Sequence, residues 1–217
     1  MARSGAAGAS RTLVLGDGGL ESLLACAWVR ERLAADGSPP DAPQPILLPW
    51  TERLTEAHVE AVIAHAASFG LSLVESVPEA SVQFAPVGMR ELTHRLLAAA
   101  HHAARLGCDQ VLWPVTAGMG EGIDVDRAAA IEDMAWLVSR LVALDATEHG
   151  VPSIHITTPF VHFSATQMAE LIMDMDLDPA SCWWWNAATV PASGSDAAAK
   201  QRASWLPLLE RAGVITR

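Results

Sequence analysis

Apolar positions in this chain fall into two alternating patterns, short uninterrupted runs and longer stretches at helical spacing. Thr12 to Leu15 is a short, partly β-branched run ending in Gly16-Asp17-Gly18-Gly19, and Leu20 to Leu33 behind it predicts an apolar-rich helix. Gly37 to Pro45 carries four prolines and predicts a surface loop, leading into Ile46-Leu47-Leu48 as a second strand stopped by Pro49. A crossover helix begins at Thr55-Glu56-Ala57-His58, with Val59, Val62, Ile63 and Ala66 at helical spacing, and Gly70 ends it before a third strand at Leu71 to Val74.

After a loop through Pro78 and Pro86, Met89 to Leu106 predicts a long helix stopped by Gly107. Gln110 to Val115 has the continuous apolar pattern of a buried parallel strand. A glycine-bearing loop, Thr116 to Asp126, precedes a helix over Arg127 to Leu144 whose Ile131, Met134, Leu137, Val138, Leu141 and Val142 form a wide apolar stripe. Ser153 to Thr157 is a fifth strand, Ala165 to Met175 a helix, and Ala197 to Ala212 a last helix interrupted or bent near Pro207. Strands alternating with crossover helices indicate an α/β fold, a Rossmann-like doubly wound parallel sheet of about five strands. Ligands of such sheets lie beyond the carboxyl ends of the strands, at the topological switch point.

Length and composition narrow this picture. The 217 residues predict a single α/β domain over 11–217, with residues 1–10 a flexible tail of small and polar residues and 176–217 a C-terminal helical segment. With 51% hydrophobic and 18% charged residues the chain is too apolar for intrinsic disorder. Its net charge of −11 argues against a duplex nucleic-acid partner, which would be met by a basic surface, and Lys200 is the only lysine. Three cysteines, Cys26, Cys108 and Cys182, show no CxxC spacing and fit a reducing, cytoplasmic setting. No run reaches about 18 uninterrupted apolar residues, and no membrane partner is expected.

Chemistry is most concentrated in Gly16-Asp17-Gly18-Gly19-Leu20-Glu21-Ser22, between the first strand and the first helix. Glycines there let backbone N–H groups approach an anion beside a helix N-terminus, and they serve equally for tight packing. The segment matches neither GxxxxGK[ST] nor GxGxxG.

Val14 to Ser22 resembles the SGGxDS pyrophosphate loop of the PP-loop ATP pyrophosphatases, and further blocks resemble the 7-cyano-7-deazaguanine synthases of queuosine precursor biosynthesis. Phe84-Ala-Pro-Val-Gly-Met-Arg90 resembles that family's FVPGRN loop, and Gly107 to Val115 its following strand. Thr158-Pro-Phe160 resembles its TPL turn, and Leu177 to Asn186, ending Ser181-Cys-Trp-Trp-Trp-Asn, the stretch before its TCYN. The resemblance runs from about Thr12 to Trp205. It implies an adenine-nucleotide α-hydrolase-like fold and an ATP-dependent, Mg²⁺-assisted ligase. In such an enzyme ATP adenylates a 7-carboxy-7-deazaguanine-like carboxylate, ammonia displaces AMP, and pyrophosphate leaves over the loop. Gly16, Asp17, Gly18, Gly19, Glu21 and Ser22 are then the nucleotide-binding residues, and Arg90, Asp124, Asp126 and Arg127 candidates for contact with a purine-like ligand; no catalytic residue is assigned.

The departures are as informative. Asp17 stands where the family has the loop serine and Glu21 where it has aspartate, so a carboxylate faces the place of a pyrophosphate. Cys182 is the sole counterpart of the family's four zinc cysteines, and no zinc is expected, because a tetrahedral site needs about four ligands. The family's lysine after TPL is replaced in Val161 to Thr166 by Ser164 or a neighbour. These losses raise a second reading, a catalytically inactive paralogue acting as a ligand-binding or assembly module.

Other residues carry an ordinary explanation beside the functional one. Arg90, His94 and His101, with His102, could meet phosphate or a metal, or form a solvated helix face; Asp124 and Asp126 could hold Mg²⁺ or recognise a purine-like base, or Asp126 could simply cap its helix. His155 and His162 read as solvent-facing or satisfied histidines. Three consecutive indoles, Trp183-Trp184-Trp185, cannot all face one core from a strand or a helix, so at least one is expected to be exposed or covered by a base or a homodimer contact.

Overall fold

The computed structural model describes residues 11–37, 44–50, 55–74, 89–149, 153–185 and 195–215. The expected tail over 1–10 lies outside them. Five short strands, β1 (Thr12–Gly16), β2 (Ile46–Pro49), β3 (Ser72–Leu73), β4 (Gln110–Leu112) and the strand His155–Thr157, form one sheet. All of its pairings are parallel. The last strand is β7, because a two-stranded hairpin, β5 (Gly118–Met119) and β6 (Gly122–Ile123), intervenes. The order β3-β2-β1-β4-β7 confirms the Rossmann-like doubly wound sheet of five strands. The chain runs outward from β1 to β3, then crosses back to β4, so the switch point lies between the neighbours β1 and β4.

Alternation along the strands supplies two cores. Val14, Leu47 and Leu112 face one side, with helices α1 (Leu20–Ala35), α2 (Glu56–Phe69), α5 (Ala165–Asp174) and α6 (Ser195–Ala212). Leu13, Leu15, Ile46, Leu48 and Val111 face the other, with α3 (Met89–Arg105) and α4 (Val125–His149). A strand buried on both faces has no use for polar residues, which explains the unbroken Leu-Val-Leu and Ile-Leu-Leu runs.

Several boundaries differ from the sequence expectation. The fourth strand ends at Leu112, because Trp113 N–H makes the last bond to β7, at the Thr157 carbonyl, and Val115 N–H then turns back to the Trp113 carbonyl to start a loop. The glycine-bearing loop over 116–126 contains the β5–β6 hairpin, whose two-residue strands are too short to show alternation. The helix expected from Arg127 begins at Val125, with Asp124 Oδ1 accepting from Arg127 N–H at 3.0 Å. Asp124, not Asp126, is therefore the cap. The last helix runs unbroken through Pro207. The helix at Ala165 opens with a reciprocal capping box, Gln167 N–H donating to Ser164 Oγ and Ser164 N–H to Gln167 Oε1.

Candidate functional site: the loop after the first strand

The β1–α1 loop is closed on itself. Asp17 turns its carboxylate back over the start of α1, where Oδ1 accepts the Gly19 N–H at 2.8 Å and the Ser22 hydroxyl at 2.6 Å. Ser22 Oγ in turn accepts the Asp17 N–H at 2.8 Å. A helix N-terminus favours negative charge there, and the chain supplies its own. In a phosphate-binding loop, a backbone N–H and a hydroxyl placed in this way would be free for the ligand.

The glycines are occupied by packing. Gly18 has φ +76°, a conformation that side chains rarely adopt, and a Cβ on it would stand 2.7 Å from the Ala61 Cβ of α2. A Cβ on Gly16 would meet Leu47 Cδ1 at the same distance, and one on Gly19 would meet Asp17 Oδ1 at 3.0 Å. The close approaches that need glycine at Gly16 and Gly18 are to β2 and α2. The Gly18 carbonyl accepts the Trp183 N–H at 3.0 Å, and the Gly16 carbonyl accepts the Trp50 N–H at 2.7 Å.

The tryptophan run covers this loop. Residues 183–185 form turns after a short 3₁₀ helix, Pro179–Ser181. In that geometry all three indoles reach one core, contrary to the expectation for a strand or helix. Trp184 is fully buried, and Trp183 and Trp185 are half-buried against the same cluster. Trp183 stacks on the His58 ring, centroids 4.1 Å apart and planes 21° apart. The cost is that Trp183 and Trp184 each bury an indole Nε1 without a hydrogen-bond partner among the described residues.

Around the closed loop stand groups the sequence reading passed over. His58 and His65 project from α2, seven residues apart, on the side that carries Ala61 and Val62. Burial pushes His65 down to about 4, against the opposing pull of Asp17 and Ser181, and also lowers His58, again against Asp17. Both imidazoles are neutral at pH 7. The spacing of two histidines beside a small alanine was the available signal, legible only once α2 was known to lie against the loop.

Electrostatics argue against an anionic guest. Burial raises Glu21 to about 7, with the neighbouring Asp17 charge adding to the effect and its own backbone N–H opposing it. Cys182 is held well above the ordinary thiol value, first by burial and then by Glu21, Asp17 and Asp178, so it is an inert thiol. Burial likewise raises Cys26 to about 12 and Cys108 to about 11, and all three cysteines are unpaired and buried. Ser181 Oγ lies 3.2 Å from His65 Nε2, but His65 Nδ1 has no partner among the described residues, so nothing orients the ring as a base.

Mg²⁺ takes oxygen ligands in a near-octahedral set and is often shared between carboxylates and substrate phosphates. Asp17 and Glu21 are the carboxylates of this loop, yet Asp17 Oδ1 already holds two donors and Glu21 is half protonated near neutrality. Among the described residues no group of three or more His, Cys, Asp and Glu is placed to hold a metal ion. The loop in this form does not fit Mg·ATP.

The second set of candidates stands apart from the first. Asp124, Asp126 and Arg127 are exposed at the start of α4, with Asp124 N–H donating to the Ala117 carbonyl. Among the described residues no hydrogen bond or ion pair joins them to the β1–α1 loop. Arg90 lies in the first turn of α3, and its side chain falls outside the described ones. His101 Nε2 reaches Asp145 Oδ2 at 3.4 Å, tying α3 to α4, and His162 Nε2 meets Glu132 Oε1 at 2.9 Å. Ser164 spends its hydroxyl capping α5. The loop after β4 is itself filled, since Gly118 packs directly on the Phe163 carbonyl and Thr116 Oγ1 donates to that oxygen at 2.7 Å. A shallow open cavity of about 420 Å³ beside it is lined by Glu121, Ile123, Ser164, Thr166, Gln167 and Glu170. Ser164 and Thr166, from the segment that replaces the family's lysine, line it, and Asp124, Asp126 and Arg127 do not.

No family model and no curated protein matches this chain. Among solved structures, it is similar to the U34-tRNA thiolase NcsA from Methanococcus maripaludis with its 4Fe-4S cluster. That likeness has a TM-score of 0.49 and 13% identity, and covers 94% of this chain and 70% of that one. No helix among the described residues is long and apolar enough to cross a membrane.

Proposed function

We propose that the chain is a divergent relative of the 7-cyano-7-deazaguanine synthases that holds a purine-like or nucleoside ligand and has given up adenylation by ATP. One observation carries this reading: the Asp17 carboxylate accepts the Gly19 N–H and the Ser22 hydroxyl, the donors a pyrophosphate would use. A second negative charge brought to that seat meets Asp17 at close range, where a low local dielectric strengthens the repulsion. The remaining replacements agree with it. Lys200 stands on α6, exposed and paired with Asp196 at 3.0 Å, and no other lysine exists to offset charge on a phosphate.

With the phosphate seat filled, the ligand chemistry that suits the crevice between β1 and β4 is the base end of a nucleotide, without its triphosphate. The test is calorimetric titration of the wild-type protein and an Asp17→Ser variant with Mg·ATP, guanosine and 7-deazaguanine, followed by a search for AMP and pyrophosphate. The wild type is expected to bind a nucleoside or base and to release no pyrophosphate. Asp17→Ser frees two donors and removes a charge, and should tighten ATP binding by about tenfold or more. Release of AMP and pyrophosphate by the wild type would restore the ligase reading, and failure to bind any of the bases would leave the assembly-module reading in its place.

A further inference from the structure

The sequence predicts one wide apolar stripe on α4, but the structure divides it. Ile131, Val138 and Val142 enter the core, whereas Leu137 and Leu141 point outward, joined there by Trp136 and Leu144. Of the ten exposed large hydrophobic side chains among the described residues, five stand on α4, with Trp136 60% and Leu144 62% exposed. Along the middle of this outer face run Ala129, Asp133, Arg140 and Leu144, which a helix of 3.6 residues per turn brings within about 60° of one another. Asp133 and Arg140 have no ion-pair partner among the described residues, although Asp145 and Glu132 of the same helix are paired, with His101 and His162.

We infer that this face joins two copies of the chain, α4 against α4, antiparallel about a twofold axis beside Trp136 and Leu137. An isologous contact requires a surface that complements itself, and this one does so in charge and in size. Residues equidistant from the axis face each other. Asp133 of one copy then meets Arg140 of the other, twice over. The small Ala129 receives the large Leu144, again twice, and Trp136 and Leu137 straddle the axis, where each meets the same pair on the second copy. A parallel pairing would set Asp133 beside Asp133 and Arg140 beside Arg140, so the charge order also selects the direction. The tryptophan run takes no part, because Trp183 and Trp185 pack inward around Trp184.

The contact is one helix wide, below the roughly 800 Å² per partner of a standard interface, and the −11 charge of each copy opposes association. The dimer is accordingly a micromolar one. Sedimentation of the full chain from micromolar to millimolar concentration, at low ionic strength, should show a reversible monomer–dimer equilibrium. Arg140→Asp places like charges opposite each other at both ends and should raise the dissociation constant by about tenfold or more. The double variant Asp133→Arg with Arg140→Asp exchanges the charges and should return it to within about threefold of the wild type. Both positions are exposed, and far-ultraviolet circular dichroism checks that each variant stays folded. A wild type that remains monomeric throughout, or a dimer that Arg140→Asp does not weaken or the exchange does not restore, overturns the inference.

Discussion

On the side of the sheet that carries α1 and α2, the chain returns after β7 to cover what those helices leave open, with α5, α6 and the tryptophan turn all joining one core. On the side of α3 and α4, nothing among the described residues lies outside α4, which keeps half of its apolar circumference in solvent. The closed side holds the loop that the sequence marks as chemical, and closure has filled that loop with the protein's own groups. Asp17 occupies the anion seat, α2 occupies the space that Gly18 leaves, and Trp183 lies over both. The contact between copies inferred above uses the face left uncovered, and the loop that the sequence marks as chemical lies where packing has advanced furthest.

The largest test of that contrast sets one tryptophan against another. Trp184 is fully buried in the core beneath the loop, and Trp136 stands exposed on α4. Trp184→Ala should destabilise the fold by about 3–5 kcal/mol, the lost transfer energy together with the cavity left behind. Trp136→Ala should change the stability of the monomer by no more than about 0.5 kcal/mol. Urea denaturation at low protein concentration measures both. Equal losses would mean that the two sides are finished alike.

Glycines sharpen the comparison at the loop itself. Gly18 and Gly120 share a positive φ, +76° and +61°, but a Cβ on Gly120 would meet nothing within 4 Å, whereas one on Gly18 would press into Ala61. Gly120→Ala should therefore cost only the backbone strain of about 1–2 kcal/mol. Gly18→Ala should cost about 1–3 kcal/mol more, the expense of overpacking. Were Gly18 there to admit a ligand, its substitution would impair binding at no greater cost in stability than that at Gly120.

How far the sequence carried follows from the same particulars. Strands β1, β2 and β4 were legible because burial on both faces leaves uninterrupted Val, Ile and Leu, and Gly70 and Gly107 mark helix ends because only glycine takes that turn cheaply. The order of elements then fixed the doubly wound class. The outward half of α4 was not legible, since Ile131 to Val142 spread apolar residues over more than half the helix and only the tertiary fold decides which half is buried. Nor was the closed loop. Gly16 to Ser22 reads identically whether Asp17 faces a ligand or folds back on Gly19, and three indoles share one core only because turns replace the strand or helix on which the expectation rested. The partners of the loop, His58, His65 and Trp183, come from distant segments, and no spacing within the loop could announce them.

The most specific effect concerns Glu21, whose carboxyl is raised to about 7 on the closed side by burial and by Asp17. A carboxyl with a folded value above its unfolded one binds more protons in the native state, so it weakens the fold as pH rises from about 4.5 to about 7 and no further above that. His65, lowered to about 4, acts in the opposite sense, since its protonation costs stability as pH falls below its unfolded value toward 4. The wild-type profile therefore mixes the two, and a difference between two proteins separates them. Glu21→Gln cannot ionise. Relative to the wild type it should gain on the order of 3 kcal/mol at pH 8, and that gain should fade toward zero by pH 4.5. Denaturation midpoints of both proteins across that range measure the difference. A gain that persists unchanged at pH 4.5 would trace to packing of the amide, and a loss at pH 8 would mean that the Glu21 carboxylate is held by a cation, which would reopen the loop to metal and nucleotide chemistry.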